Sequence, residues 1–161
     1  MTEAPPMSDR EGISYLGSNQ NWHSLSVPGW GGRREPYDLF WRVWWLEGEV
    51  NNGGFHQYFL NSAGDASEET ICALREIGAA KTASLLDQAG KALFGGPVPT
   101  NRDDRLDALD AADVAKLDQL EALDRRFLAY EEDLEVLLAV YLRREGVLPL
   151  YNDLKKKGWF S

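Results

Sequence analysis

The chain has 161 residues and a hydrophobic content of 43%, which is enough for one domain with a sizeable core and argues against a disordered chain. Its formal charge of −9, from 26 acidic and 17 basic residues, argues against direct nucleic-acid binding, because that needs lysines and arginines facing the phosphates. Cys72 is the only cysteine, and no apolar run approaches the roughly 20 residues of a membrane-spanning helix, so we expect a cytoplasmic protein without a disulfide or membrane span.

Residues 1–33 are rich in serine, glycine, asparagine and proline, which predicts an irregular N-terminal arm. Trp22 and Trp30 are too large and apolar to lie wholly in solvent, so part of this arm is expected to pack on the domain. We predict the helical domain over residues 34–154 and a basic tail, with three consecutive lysines, over residues 155–161.

The first strong helix is predicted from about Pro36 to Val50, with the proline in its first turn. Aromatic residues with helical spacing form one face of this helix, and aliphatic residues form a second face. The aromatic residues are Tyr37, Phe40, Trp41, Trp44 and Trp45, and the aliphatic residues are Leu39, Val43, Leu46 and Val50. A helix that is apolar around most of its circumference is normally buried on several sides, so it is the predicted centre of the core.

The helix is predicted to end at Asn51-Asn52-Gly53-Gly54, because glycine, and to a lesser degree asparagine, tolerates a positive φ. A short second helix is predicted from Phe55 to near Asn61. Asp65 and Glu68 have the spacing of a capping box, which predicts that Asp65 caps a third helix.

The rest of the chain also shows helical periodicity. An amphipathic helix is predicted to end at Gly95-Gly96-Pro97, and helical spacing then continues to about residue 128 with a break near 110–113. A last long helix is predicted from Leu134 to about Gly146. Because β-strand alternation of useful length is missing from the sequence, we predict an all-α, compact single-domain bundle of about six to seven helices.

The sequence lacks the motifs of metalloproteases, P-loop proteins and α/β-hydrolases. Two histidines and one cysteine do not suggest a metal site, so we expect no catalytic residues, no metal and no cofactor. One alternative is an enzyme or small-ligand binder with its site at the Asn51 to His56 turn, where the amides of Gly53 and Gly54 could hold an anion. A structural turn with capping side chains is the favoured interpretation.

The stretch from Glu47 to Gly64 reads Glu-Gly-Glu-Val-Asn-Asn-Gly-Gly-Phe-His-Gln-Tyr-Phe-Leu-Asn-Ser-Ala-Gly, and it resembles the signature of the DNA-mimic protein family. The residues that carry the resemblance are Glu49, Asn51, Asn52, Gly53, Gly54, Phe55, Gln57, Tyr58, Phe59, Asn61 and Ser62. The resemblance extends from about Pro36 to Leu150 and implies a mainly helical, cytoplasmic bacterial protein that is often a dimer. In that family surface carboxylates imitate DNA phosphates and occupy a DNA-binding partner, whereas the signature itself looks structural.

Acidic residues are concentrated in residues 101–135, which hold 12 acidic and 5 basic side chains. The candidate partner-binding residues are Asp103, Asp107, Asp110, Asp113, Asp118, Glu121, Asp124, Glu131, Glu132 and Glu135. Helical steps of three or four residues space such charges by roughly 4.5–6 Å, which is sparser than the roughly 3.4 Å spacing along one DNA strand. Several rows or a homodimer would therefore be needed for mimicry, and five basic residues, namely Arg102, Arg105, Lys116, Arg125 and Arg126, interrupt the rows.

The leading hypothesis is a non-enzymatic interaction protein whose acidic helices bind a basic DNA-binding protein, such as a regulator or a nucleoid protein. A further alternative is an immunity-type or structural binder with an apolar interface, for example through Trp22 and Trp30. Binding that ignores salt would distinguish this alternative from DNA mimicry.

Overall fold

The computed structural model describes residues 13–14, 16–17 and 36–147. Residues 36–147 fold into six α-helices, and none of the described residues forms a strand, which confirms the predicted all-α class. The helices are α1 (Tyr37–Leu60), α2 (Ser67–Glu76), α3 (Ala80–Phe94), α4 (Arg102–Asp110), α5 (Val114–Leu128) and α6 (Leu134–Arg144), and a 3-10 helix (Ser62–Ala66) lies between α1 and α2. None of the described helices is long and apolar enough to cross a membrane.

Helix α1 is kinked where the sequence predicts a break. Gly53 has φ −157° and ψ 22°, and Gly54 has φ 72° and ψ −173°, so both residues depart from helical geometry. The backbone at Gly54 lies in a region that is essentially restricted to glycine, because a Cβ clashes with the neighbouring peptide there. The kink therefore divides α1 into an N-terminal segment, residues 37–52, and a C-terminal segment, residues 55–60.

The two apolar faces of the N-terminal segment are not buried equally. Val43 and Leu46 of the aliphatic face are completely buried, whereas Trp45 of the aromatic face is 45% exposed. Trp45 stacks on the buried Trp41 with a centroid distance of 5.8 Å. The prediction that this helix is buried holds for the aliphatic face, but at Trp45 the aromatic face reaches the surface.

The described residues divide into two compact units, one within residues 1–40 and 133–161 and the other comprising residues 41–132. In the first unit, Ile13 and Leu16 are helical and buried, although they belong to the arm predicted to be irregular. Trp22, Trp30, the basic tail and both predicted domain boundaries lie outside the described residues. Helix α6 of this unit begins with a side-chain cap, because Asp133 Oδ1 accepts a hydrogen bond from Val136 N at 3.1 Å.

In the second unit α3 packs against α2, α4 and α5, and the 3-10 helix packs against α2 and α4. A chain of aromatic rings runs through this unit, and the rings in contact are Phe94–Phe59 (5.1 Å), Phe59–Phe55 (6.4 Å) and Phe55–Phe127 (5.8 Å). Phe55 and Phe59 are completely buried. The C-terminal segment of α1 is thus held within the core of the second unit by aromatic packing.

The predicted capping role of Asp65 is wrong. Asp65 lies within the 3-10 helix, α2 starts at Ser67, and no side chain caps its N-terminus. The carboxylate of Asp65 instead pairs with Arg105, and Glu68 accepts a hydrogen bond from Val98 N at 3.3 Å. Both carboxylates of the apparent capping box therefore have partners that are distant in sequence.

Candidate protein-interaction surface

Glu49 connects the two segments of α1 across the kink. Its Oε2 atom accepts hydrogen bonds from Gln57 Nε2 at 2.7 Å and from Asn61 Nδ2 at 2.9 Å. A Cβ at Gly53 would lie 2.3 Å from Gln57 Oε1, so a side chain there would displace the glutamine. The acidic residue, the glycine and the two amides that resemble the signature thus form one hydrogen-bonded bracket around the kink.

Asp124 of α5 caps the C-terminal segment of α1. Its Oδ1 atom accepts a hydrogen bond from Phe55 N at 2.8 Å, and a Cβ at Gly54 would lie 2.3 Å from its Oδ2 atom. Gly54 is therefore required twice, once for its positive φ and once for the close approach of this carboxylate.

The environment of Asp124 raises the pKa of its carboxyl, chiefly because burial disfavours the charged form. The negative charge of Glu121 acts in the same direction, whereas the hydrogen bond from Phe55 and the charges of His56 and Arg125 favour the ionised form. Asp124 belongs to the predicted partner-binding residues, but in the structure it is half-buried and its carboxylate accepts the hydrogen bond from the Phe55 amide at the kink.

Arg105 is completely buried, although in the sequence it interrupts a row of acidic residues. Its guanidinium donates to the carbonyl oxygens of Phe59, Asn61, Pro99 and Thr100 and to the carboxylate of Asp65. A Cβ at Gly64 would lie 3.0 Å from Arg105 Nε, so the glycine leaves room for this side chain. Arg105 thereby satisfies carbonyl groups at the C-terminal end of α1, where helical partners are lacking.

Asn51 joins the N-terminal segment of α1 to the end of α5. Its Nδ2 group donates to Glu47 O at 2.7 Å and to the hydroxyl of Tyr130, and that hydroxyl donates to Glu47 Oε1 at 3.2 Å. Tyr130 has a φ of 48°, which is unusual for a residue other than glycine.

The contacts at the Asn51 to His56 turn favour the structural interpretation over the ligand site. The Phe55 amide at the start of the helical segment is bonded to Asp124, and the side-chain amide of Asn51 is bonded to Glu47 and Tyr130. Asn52 and His56 are exposed. An active or ligand-binding site at this turn stays a prediction.

Two more of the predicted acidic residues, which lie between α5 and α6, contact the start of α3. Glu132 accepts hydrogen bonds from Lys81 N, Thr82 N and Thr82 Oγ1 at 2.7, 3.1 and 2.8 Å, and Glu131 pairs with Lys81 Nζ at 3.2 Å. Glu132 is half-buried and caps the N-terminus of α3, whereas Glu131 is exposed. Glu135 lies on α6 in the other unit and is also half-buried.

The remaining predicted carboxylates are exposed and follow one another along α4 and α5. We call them the acidic segment, which consists of Asp103, Asp104, Asp107, Asp110, Asp113, Asp118 and Glu121. Asp104 was not among the predicted residues, but it is exposed beside them. Asp113 also caps α5 by accepting a hydrogen bond from Lys116 N at 2.9 Å, and Glu121 pairs with Arg125 at 2.9 Å.

The basic side chains compensate little of this charge. Between residues 102 and 121, all of which the structure describes, two cations are exposed, namely Arg102 and Lys116. Arg102 Nε donates to Leu60 O at 2.8 Å, and Arg105 is buried. The exposed surface of this stretch is therefore more acidic than its sequence composition indicates.

These features define an all-α protein in which side-chain hydrogen bonds hold a kink in the first described helix and a run of carboxylates faces solvent. The chain matches the DMP19-like protein family over residues 34–145, which is more than half of its length. It therefore belongs to the DMP19-like protein family. No curated protein and no solved structure matches this chain.

Proposed function

We propose that this protein is a non-enzymatic interaction protein whose acidic segment binds a basic DNA-binding protein and occupies its DNA-binding surface. Membership of the DMP19-like family supports a role of this kind. The observation that carries the proposal is the exposure of seven carboxylates between Asp103 and Glu121. Binding by this surface would be a protein–protein interaction without direct contact to nucleic acid.

The surroundings of the basic residues in this stretch also favour a cationic partner. Of the three basic residues between 102 and 121, Arg105 is buried and its charge is paired with Asp65. Arg102 is bound to a backbone carbonyl at the end of α1. A positively charged partner would therefore meet a field dominated by carboxylates, and such a field accelerates association and favours partners with cationic surfaces.

The geometry of DNA sets a further requirement. Along a helix, steps of three or four residues separate carboxylates by roughly 4.5–6 Å, whereas phosphates along one strand lie roughly 3.4 Å apart. A single helix is therefore too sparse, and the carboxylates of α4 and α5 would have to act together. A homodimer that doubles the number of rows is part of this proposal, as is a cytoplasmic location.

The proposal predicts that binding of the basic partner weakens with salt and that duplex DNA competes with it. The full chain is immobilised and exposed at low salt to a lysate, and bound proteins are eluted either with duplex DNA or with a neutral polymer at the same ionic strength. We expect duplex DNA to release a basic DNA-binding protein selectively, because DNA and the acidic segment would compete for one surface. A bound protein that stays in place when DNA is added would contradict mimicry.

Two variants with equal charge changes locate the surface. Asp107→Asn with Asp110→Asn removes two carboxylates of the acidic segment, and Glu69→Gln with Glu76→Gln removes two exposed carboxylates of α2. We expect the first pair to weaken binding of the eluted protein several-fold at low salt and to flatten its salt dependence, while the second pair has a smaller effect. Equal effects of both pairs would show that net charge alone drives the binding.

A further inference from the structure

Helix α5 exposes three large apolar side chains to solvent. Val114 is 73% exposed, Leu117 is 40% exposed and Leu128 is 46% exposed. These residues are separated by three and eleven positions, which places them on one side of the helix. The buried side of α5 is formed by other residues, Leu120, Leu123 and Phe127, so the exposed residues are additional to the core.

The surroundings of this side are acidic. Asp113 precedes Val114, Asp118 follows Leu117, and Glu121 lies one turn further along the same side. The nearest positive charge on this side is Arg125, which is ion-paired with Glu121. We call Val114, Leu117 and Leu128, with these carboxylates, the α5 strip.

We propose that the α5 strip docks a cationic amphipathic helix of the partner, with apolar side chains of that helix against Val114 and Leu117 and its lysines or arginines beside the carboxylates. This inference rests on the proposed function and specifies the chemistry of its partner. Charge complementarity selects the occupant, because an amphipathic helix with basic flanks satisfies both the apolar and the acidic parts of the strip.

The same charges disfavour other occupants. A second copy of this chain would bring the same carboxylates to the interface, and like charges in contact oppose association. An anionic membrane would be repelled for the same reason. Val114 and Leu117 would give the complex an apolar contact with the partner. DNA phosphates cannot make such a contact with the same partner.

Two synthetic helical peptides of equal length and equal lysine content test the inference. In one peptide leucines form an apolar stripe, and in the other glutamines replace these leucines. Binding of each labelled peptide to the full chain is followed by fluorescence anisotropy over a range of salt concentrations. We expect the leucine peptide to bind on the order of tenfold more tightly, as partial burial of two aliphatic side chains implies.

The variant Val114→Thr with Leu117→Gln should abolish this preference without changing the salt dependence of either peptide. The matched control is Val136→Thr with Val140→Thr, which alters two exposed apolar residues of α6 and should leave the preference intact. All four residues are exposed, so both variants should keep the melting temperature of the parent protein.

The inference is overturned when the two peptides bind equally, or when both pairs of substitutions reduce the preference to the same degree. Failure of the proposed function gives a different result. In that case Asp107→Asn with Asp110→Asn leaves the salt dependence of both peptides unchanged, while the preference for the leucine peptide persists.

Discussion

Carboxylates have different roles in two regions of residues 41–132. Around the kink of α1, Glu49 and Asp124 are half-buried, Glu49 accepts hydrogen bonds from Gln57 and Asn61, and Asp124 accepts one from the Phe55 amide. In the acidic segment the same kind of side chain is exposed, and Asp107, Asp110 and Asp118 face solvent. A carboxylate is therefore available to a partner only where the fold has not already used it, and a count of charges along the sequence does not reveal this.

The sharpest test of this comparison concerns Arg105. Replacing Arg105 with methionine removes five hydrogen bonds and leaves four carbonyl groups and Asp65 without the guanidinium. We expect the free energy of unfolding to fall by about 3–5 kcal/mol, because all five hydrogen bonds of a completely buried side chain are lost and the carbonyl of Phe59 stays in a buried position without this donor. Urea unfolding followed by circular dichroism measures the change.

The matched control is Arg102→Met, which removes an exposed arginine with one hydrogen bond to Leu60 O. Its cost should stay below about 1 kcal/mol. Similar losses of unfolding free energy for Arg105→Met and Arg102→Met would show that the burial of Arg105 does not make it more important for stability than Arg102.

The two glycines of α1 provide the second test. At Gly54 a methyl group would meet the carboxylate of Asp124 in a backbone region that disfavours side chains, so Gly54→Ala should destabilise the protein by about 2–3 kcal/mol. At Gly48 a methyl group would have open space within a regular helix, so Gly48→Ala should stabilise it by up to about 1 kcal/mol. Thermal and urea unfolding of both variants check the signs, and destabilisation by both would refute this account of the kink.

The third test uses the pH dependence of stability. The raised pKa of Asp124 means that the folded chain binds this proton more tightly than the unfolded chain. The resulting stabilisation is complete below the ordinary pKa of 3.8 and is lost as the pH rises through the raised value. Asp124→Asn keeps an acceptor for Phe55 N but does not titrate, so its stability relative to the parent should increase over that interval.

Unfolding curves of the parent and of Asp124→Asn between acidic and neutral pH measure this difference. A constant difference between Asp124→Asn and the parent at all pH values would contradict the assignment of Asp124 to a half-buried site.

The smallest effects are expected in the acidic segment. Asp107→Asn with Asp110→Asn should change the free energy of unfolding by no more than about 0.5 kcal/mol, because both residues are exposed. Asp113→Ala removes the N-cap of α5 and should cost about 1 kcal/mol. Urea unfolding at neutral pH measures the stability of both variants. A larger loss of stability in the double variant would show that Asp107 or Asp110 makes contacts that stabilise the fold.

Several features of the fold could be predicted because they depend on local chemistry. Periodic apolar residues define the helices, and the glycines mark the kink in α1 and the ends of α3 and α6. The break between α4 and α5 also follows from local signals, since Asp113 caps α5. Local sequence patterns were thus enough to predict the all-α class, the kink and most helix boundaries.

Which charged side chains are paired within the fold could not be predicted, because it depends on contacts between residues that are distant in sequence. Asp65 and Arg105 are 40 positions apart in the sequence, and Asp124 and Phe55 are 69 positions apart. No local sequence pattern therefore predicts either pair. One signal was available for Arg105, which precedes the buried Leu109 by four positions and so lies on the same side of α4. Exposure of the acidic segment was decided in the same way, because long-range packing determines which side of each helix remains in contact with water.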